Sequence, residues 1–251
     1  RPMDDFLWRD AYYSDLQSLY ALLVVPLAFL AWRAASPSDD RRAVVPEAAR
    51  FVSGATLFFA LATMIDPIST GPIAHSEGID GTFLATGIMF FFVLVGDFRV
   101  LLLAIGVARP ERTLKQNLGW AAGTTLIVPV VAGLSYKILG ALIDDLHSQV
   151  LWMVYEAGFF LLCVVLSRQW IPRILADAAL GQEQSREQTR YLRALFGFSA
   201  AYYALWFSAD VLIVVAELDL GWAIRIVPNQ LYYAFWVPFA YWRFFSAPAD
   251  S

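Results

Sequence analysis

Residues 82–108, TFLATGIMFFFVLVGDFRVLLLAIGVA, form one apolar stretch that contains an aspartate and an arginine, Asp97 and Arg99. About 20 apolar residues are enough for a helix to cross the hydrocarbon core of a bilayer. An ionisable side chain inside such a segment is costly, so it turns toward other helices or a water-filled space. Two residues apart on a helix, side chains diverge by about 200°. Asp97 and Arg99 therefore cannot pair locally, and at least one needs a partner from another helix. The chain around them has to be a bundle. The two charges either fix the packing of their neighbours or mark a site or pathway for ions, protons or a polar ligand.

Composition agrees. Of 251 residues, 59% are hydrophobic and 16% charged, whereas soluble domains are nearer half apolar and a quarter charged. The chain is read as an all-α, polytopic membrane protein. Its first apolar run follows the acidic stretch MDDFLWRDAYYSD instead of the basic segment of a cleavable signal, so it is expected to persist as a membrane helix. Arg1-Pro2 ahead of Met3 reads as a cloning remnant. Residues 1–16 are expected to form an interfacial segment, with Phe6, Leu7, Trp8, Tyr12 and Tyr13 at headgroup level. Ser14 and Gln17 have the spacing of a capping box.

Seven spans are expected, at about 17–35, 47–66, 82–108, 118–143, 150–171, 191–216 and 221–245, as one domain (17–245) with a short tail, 246–251. Pro26 predicts a kink in the first. The second is predicted to stop at Asp66-Pro67, since the residue before a proline avoids helical space, leaving 67–81 as loop. Within the polar stretch 173–193, Glu183–Arg186 and Glu187–Arg190 have helical spacing, which predicts helices reaching beyond the bilayer. One side of this topology holds thirteen basic residues between Arg33 and Arg243, the other only Arg1 and Arg9. The positive-inside rule then puts the amino terminus outside and the carboxyl terminus in the cytoplasm. Compactness points to a prokaryotic inner membrane.

A helical rise of about 1.5 Å per residue assigns each charge a depth. Asp66, Lys137, Glu156, Asp210 and Arg225, from five helices, fall in one outer layer. That layer is either a set of interhelical ion pairs or an outward pocket walled by Tyr136, Tyr155, Tyr202, Tyr203, Trp206, Tyr232 and Tyr233. Asn229 and Gln230 beside Pro228 favour the pocket, because proline frees a carbonyl one turn earlier and adjacent amides can line a polar space. Asp97 lies about 22 Å along its helix, with Arg99 slightly deeper. These two form an inner layer, the candidates for gating or proton exchange, since a carboxylate in low dielectric takes up a proton unless a cation is near. Gly96 would permit close approach of another helix.

Other chemistries find little support. The two histidines, His75 and His147, fall in outer loops, which argues against bis-histidine haem ligation and a histidine-based metal hydrolase. Asp66, Glu77 and Asp80 match no calcium-loop spacing. No Gly-rich phosphate loop or nucleophile–base spacing is present, and no basic patch suits nucleic acid. The single cysteine, Cys163, reads as a small core residue. Seven helices with an external amino terminus is similar in layout to rhodopsins and seven-helix receptors, a likeness of fold level. Retinal proteins carry their Schiff-base lysine mid-membrane in the last helix; Lys137 lies at the outer edge of the fourth, so a retinal-type chromophore on it is disfavoured. Small seven-helix sugar and vitamin transporters share the topology, but no paired internal repeat is evident here. The expected function is a transporter or channel for an ion, proton or small polar solute, with the bilayer as its medium and a homo-oligomer allowed. The alternatives are a ligand- or light-responsive receptor signalling through 173–193, and a structural subunit whose charges are docking pairs.

Overall fold

The computed structural model describes residues 7–36, 46–176 and 182–246. A short helix, α1 (Trp8–Tyr13), is followed among these residues by seven long helical runs. They are α2 (Leu16–Ala35), α3 (Pro46–Ile68, prolonged by a wide turn, Ser69–Ile73), α4 (Phe83–Ala108), α5 (Leu114–Gly140), α6 (Gln149–Ala176), α7 (Gln182–Val214) and α8. The last runs unbroken through Leu220–Asn229, Gln230–Phe235 and Trp236–Phe245. No strand occurs among the described residues. Six helices, α2 to α7, are long and apolar enough to cross a membrane. This is an all-helical, multi-pass integral membrane protein. α8 has the length for a span but carries Arg225, Asn229, Gln230 and Arg243, and it falls outside that apolar group.

The surface explains the composition. α5 turns Leu126, Ile127, Val130, Val131, Leu134 and Ile138 outward, each at least 44% exposed. Such a stripe suits acyl chains and not water. The opposite pattern marks α4, which touches α3, α5, α6 and α7 and buries every residue from Arg99 to Ala108. It is the central post of the bundle.

Helix boundaries depart from the expected ones for local reasons. α5 begins four residues early because Thr113 and Gln116 form a full capping box: the Thr113 N–H donates to Gln116 Oε1 (3.0 Å) and the Gln116 N–H to Thr113 Oγ1 (3.4 Å). α5 also ends at Gly140, ahead of the expected 143, and Asp145 in the turn beyond has φ of 56°. The expected box at Ser14 does not form; its hydroxyl reaches back to the Ala11 carbonyl (2.7 Å). α3 does not stop at Asp66-Pro67. It runs through Pro67 into the wide turn, where the Ala74 N–H bonds Ser69 O (2.9 Å), and the Thr70 hydroxyl donates to Asp66 O (2.8 Å). In lipid, widened turns and hydroxyls can re-satisfy a backbone interrupted by proline. The same device recurs. Pro172 and Pro238 would clash with the carbonyls of Arg168 and Ala234, and those two residues lie in the π-helical turns Leu166–Trp170 and Gln230–Phe235, just ahead of the prolines.

α1 crosses one end of the bundle. The Trp8 and Arg9 N–H groups donate to the Asp219 carboxylate (2.5 and 3.2 Å), and the rings of Tyr12 and Tyr13 each lie 5.3 Å from that of Trp222. Asp219 stands at the start of α8 but caps α1 instead of its own helix. Phe6 and most of the expected tail lie outside the described residues, as does part of the 173–193 stretch; from Gln182 that stretch belongs to α7.

Candidate functional site

Beneath α1, the helices enclose a cavity of about 330 Å³. Regular spacing puts the side chains there. On α4, Met89, Val93 and Asp97 recur every four residues and share a face; on α6, Trp152 and Glu156 do the same, with Tyr155 beside them. α7 supplies Tyr203 and Trp206, α8 supplies Arg225, Asn229, Tyr232 and Tyr233, α3 supplies Asp66 and Thr70, and α1 closes the top with Tyr12 and Tyr13.

Asp97 forms the floor. It is 2% exposed and accepts hydrogen bonds from the phenols of Tyr155 and Tyr203, which come from two different helices. These are the partners the sequence left open. Arg99, on the other side of α4, is likewise 2% exposed. It donates to the Thr63 hydroxyl (3.0 Å) and the Tyr232 carbonyl, with the rings of Tyr232 and Trp236 4.5 and 4.7 Å away. A guanidinium on aromatic faces is stabilised by the ring quadrupoles. Arg99 does not reach the cavity; it borders a small void of about 10 Å³ shared with Asp66 and Gly96.

Part of the wall is a polar network around Arg225. Its guanidinium pairs with Asp210, lies 3.7 Å from Glu156 Oε1, and donates through Nε to the Tyr12 phenol (3.4 Å). Asp210, fully buried, also accepts from Gln149 Nε2 (2.7 Å). Asn229 accepts from Trp206 Nε1 (3.0 Å) and donates to the Tyr12 phenol (3.2 Å). The first described helix is thus tied into the polar wall of the last.

The expected outer layer divides. Asp66, Glu156, Trp206, Arg225 and Asn229 meet in the cavity, while Asp210 stands behind Arg225. Lys137 is exposed on α5 and takes no part, and neither does Tyr136. Gln230 is turned away, its Nε2 buried without a hydrogen-bond partner. Tyr202 is fully buried behind the wall, ring against Trp206 and Tyr232. Counting residues gives depth, but a side chain's direction also depends on how its helix is rotated. Inner and outer layers are not separate places: Asp97 is the floor and Asp66, Glu156 and Arg225 are the walls of one space. Reasoning from the sequence missed Tyr12, Tyr13, Thr70, Met89, Val93 and Trp152 as wall residues. The four-residue spacing to Asp97 and Glu156 was the available signal for Met89, Val93 and Trp152. The group Asp66, Glu77 and Asp80 does not converge; Asp80 pairs with His75 (3.2 Å), and no cluster that could hold a metal ion occurs among the described residues.

Gly96 admits a side chain, not a helix backbone. A Cβ placed there would stand 1.7 Å from the Tyr232 hydroxyl, which itself donates to Val93 O (3.3 Å). Gly96→Ala should therefore cost about 1–3 kcal/mol; Tyr232→Phe in the same chain, which removes the oxygen but leaves ring Cζ 2.5 Å from that Cβ, should restore only part of it. Thermal unfolding of the two single variants, the double variant and the parent in detergent checks this; additive losses would sink the explanation.

Under the floor, the Phe159 ring stacks on Tyr203, centroids 5.2 Å apart and planes 13° from parallel. Beyond this stack, about 12 Å along α6 from Tyr155, lies a second hollow of about 100 Å³. Cys163, Ser167 and Arg168 of α6 and Phe196 and Gly197 of α7 border it. It opens beside the wide turn Leu166–Trp170. Comparison with protein-family models, with curated proteins and with solved structures found no match.

Proposed function

We propose that this chain is a seven-span transporter that moves a small polar solute, ion or proton, presenting the Asp97 cavity to one side of the membrane at a time. The observation that carries this reading is the pair of hollows along α6 and α7, separated by the Tyr203–Phe159 stack. Two spaces on either side of a thin aromatic partition are what alternating exposure needs. The π-helical turn Leu166–Trp170, next to the smaller hollow, supplies a place where α6 can bend, since such turns occur often at functional positions. An open channel is less well supported, because α4 is densely buried from Arg99 to Ala108.

In this reading α8 is the seventh span, and its polar residues face the site instead of lipid: Arg225 and Asn229 both border the cavity. Arg33, Arg109, Arg168, Arg193 and Arg243 gather at the end away from α1. By the positive-inside rule that end is cytoplasmic, and the large cavity faces outward, in a prokaryotic inner membrane. Asp97 is the residue proposed to bind or exchange the coupled charge; Arg99 holds α3, α4 and α8 together around it. The receptor reading draws on the polar extension of α7 beginning at Gln182. A cavity that binds without flux would favour it.

The test is flux in proteoliposomes loaded with a pH-sensitive dye, together with swelling assays over a panel of small polar solutes. Asp97→Asn keeps the side chain's shape, removes its charge and leaves one tyrosine without an acceptor. It is expected to cut flux at least about tenfold, as befits an intramembrane carboxylate, while the protein still folds. Full activity in Asp97→Asn would overturn the assignment.

A further inference from the structure

We infer that the ligand of the cavity is an organic cation, an ammonium group bearing apolar substituents; this rests on reading the cavity as the solute site. The first argument is charge. Asp66, Asp97 and Glu156 face the space, and Arg225, the guanidinium on its wall, is already engaged by Asp210. Counting Arg99 as well, four carboxyl groups are set against two guanidinium groups, so two of the acids have no cation of the protein to balance them, and a bound cation would favour their ionised form. Buried charges want a partner. Glu156 is 3% exposed, lines the cavity, and has an Oε2 atom with no hydrogen-bond partner. A turn of that carboxyl group toward the space would give an N⁺–H donor or the positive edge of a methylated ammonium its counter-ion.

The second argument is the surface around those carboxylates. Rings of Tyr12, Trp152, Tyr155, Tyr203, Trp206 and Tyr232 border the space. Aromatic faces attract organic cations, and quaternary ammonium groups are recognised by cages of this kind. The bundle already treats its own cations in this way: Arg99 lies 4.5 Å from the Tyr232 ring, and Arg225 5.6 Å from that of Tyr12. A hard metal ion would need about six converging oxygen ligands, and no metal-holding cluster occurs among the described residues. A sugar would need free amides and hydroxyls, but the Asn229 amide is committed to Trp206 and Tyr12. An anion would face the carboxylates. The volume, about 330 Å³, lies at the small end of ligand pockets.

The test titrates the purified full chain in detergent, following fluorescence of the tryptophans, two of which, Trp152 and Trp206, border the cavity. Choline is compared with 3,3-dimethyl-1-butanol, its uncharged carbon analogue, and 2-phenylethylammonium with 2-phenylethanol. The expected result is saturable quenching by the charged member of at least one pair, at least about tenfold tighter than its neutral partner, and weakened by Glu156→Gln and by Asp66→Asn. The charged-against-neutral comparison uses the unaltered protein, so no folding defect in a variant can imitate it. Equal binding of the neutral analogues would overturn the inference and leave transport standing. So would an absence of cation binding in a protein that still moves protons or neutral solutes. Cation binding without flux would support the inference and overturn transport.

Discussion

Replacing Arg225 with Met is expected to destabilise the folded protein by about 3–5 kcal/mol, the cost of leaving buried charge without its partner. Asp210, fully buried, would keep Gln149 but lose its cation, and Glu156 would lose its nearest cation. The Tyr12 phenol would lose the Nε–H donor while keeping Asn229. Removing both ends of the pair should be milder. Arg225→Met with Asp210→Leu is expected to regain part of the loss, since an apolar pair of similar volume avoids the desolvation that the ions suffer, while Glu156 still lacks its cation. Reversible unfolding in mixed micelles, followed by tryptophan fluorescence, measures all three proteins. A single variant within about 1 kcal/mol of the parent would mean that Arg225 does not hold these carboxylates.

Trp236→Ala is expected to cost about 3–5 kcal/mol. Trp236 is completely buried, its indole N–H donates to the Ser199 hydroxyl (3.2 Å), and its ring lies 4.7 Å from the Arg99 guanidinium. In a membrane the transfer part of such a loss shrinks, because the unfolded reference is already in lipid. The hole and the stripped cation remain. Trp236→Phe keeps a ring beside Arg99 and should lose only roughly 1 kcal/mol with the Ser199 bond. Thermal melts that place the Ala and Phe variants together would show that neither the ring nor the volume matters here.

The sequence made the broad architecture legible because a bilayer imposes a length and a polarity on every helix. Apolar runs of about 20 residues announce themselves, and so do charges within them. It made Asp97 and Arg99 legible as residues facing opposite ways, since that needs only the helical repeat. Their partners were hidden. Tyr155 and Tyr203 come from helices more than fifty residues away in the chain, and nothing local says which of the many tyrosines turns inward. Lys137 shows the same limit: its depth matched that of Glu156, but its helix presents it outward. α3 was cut short at Asp66-Pro67 because the rule for the residue before proline was learnt from water, where a broken turn can hydrogen-bond solvent. In lipid the turn widens and continues. The roof was missed for another reason. Aromatic residues ahead of a first span suggest the membrane interface, and nothing nearby in the chain reveals that Asp219 will seize the start of α1.

That grip has a consequence for how the protein is made. The Trp8 amide and the Asp219 carboxylate that receives it are separated by 211 positions in the chain. At roughly 5–20 residues per second, a ribosome needs about 10–40 s to deliver the second after the first. During that interval the amino-terminal helix has no clamp, and Tyr12 lacks the Arg225 and Asn229 donors that fix it. Assembly of the site therefore waits until α8 has been made and has packed against the other helices. A chain interrupted before α8 would leave its buried acids unpaired, which would mark it for the cell's quality control as unfinished.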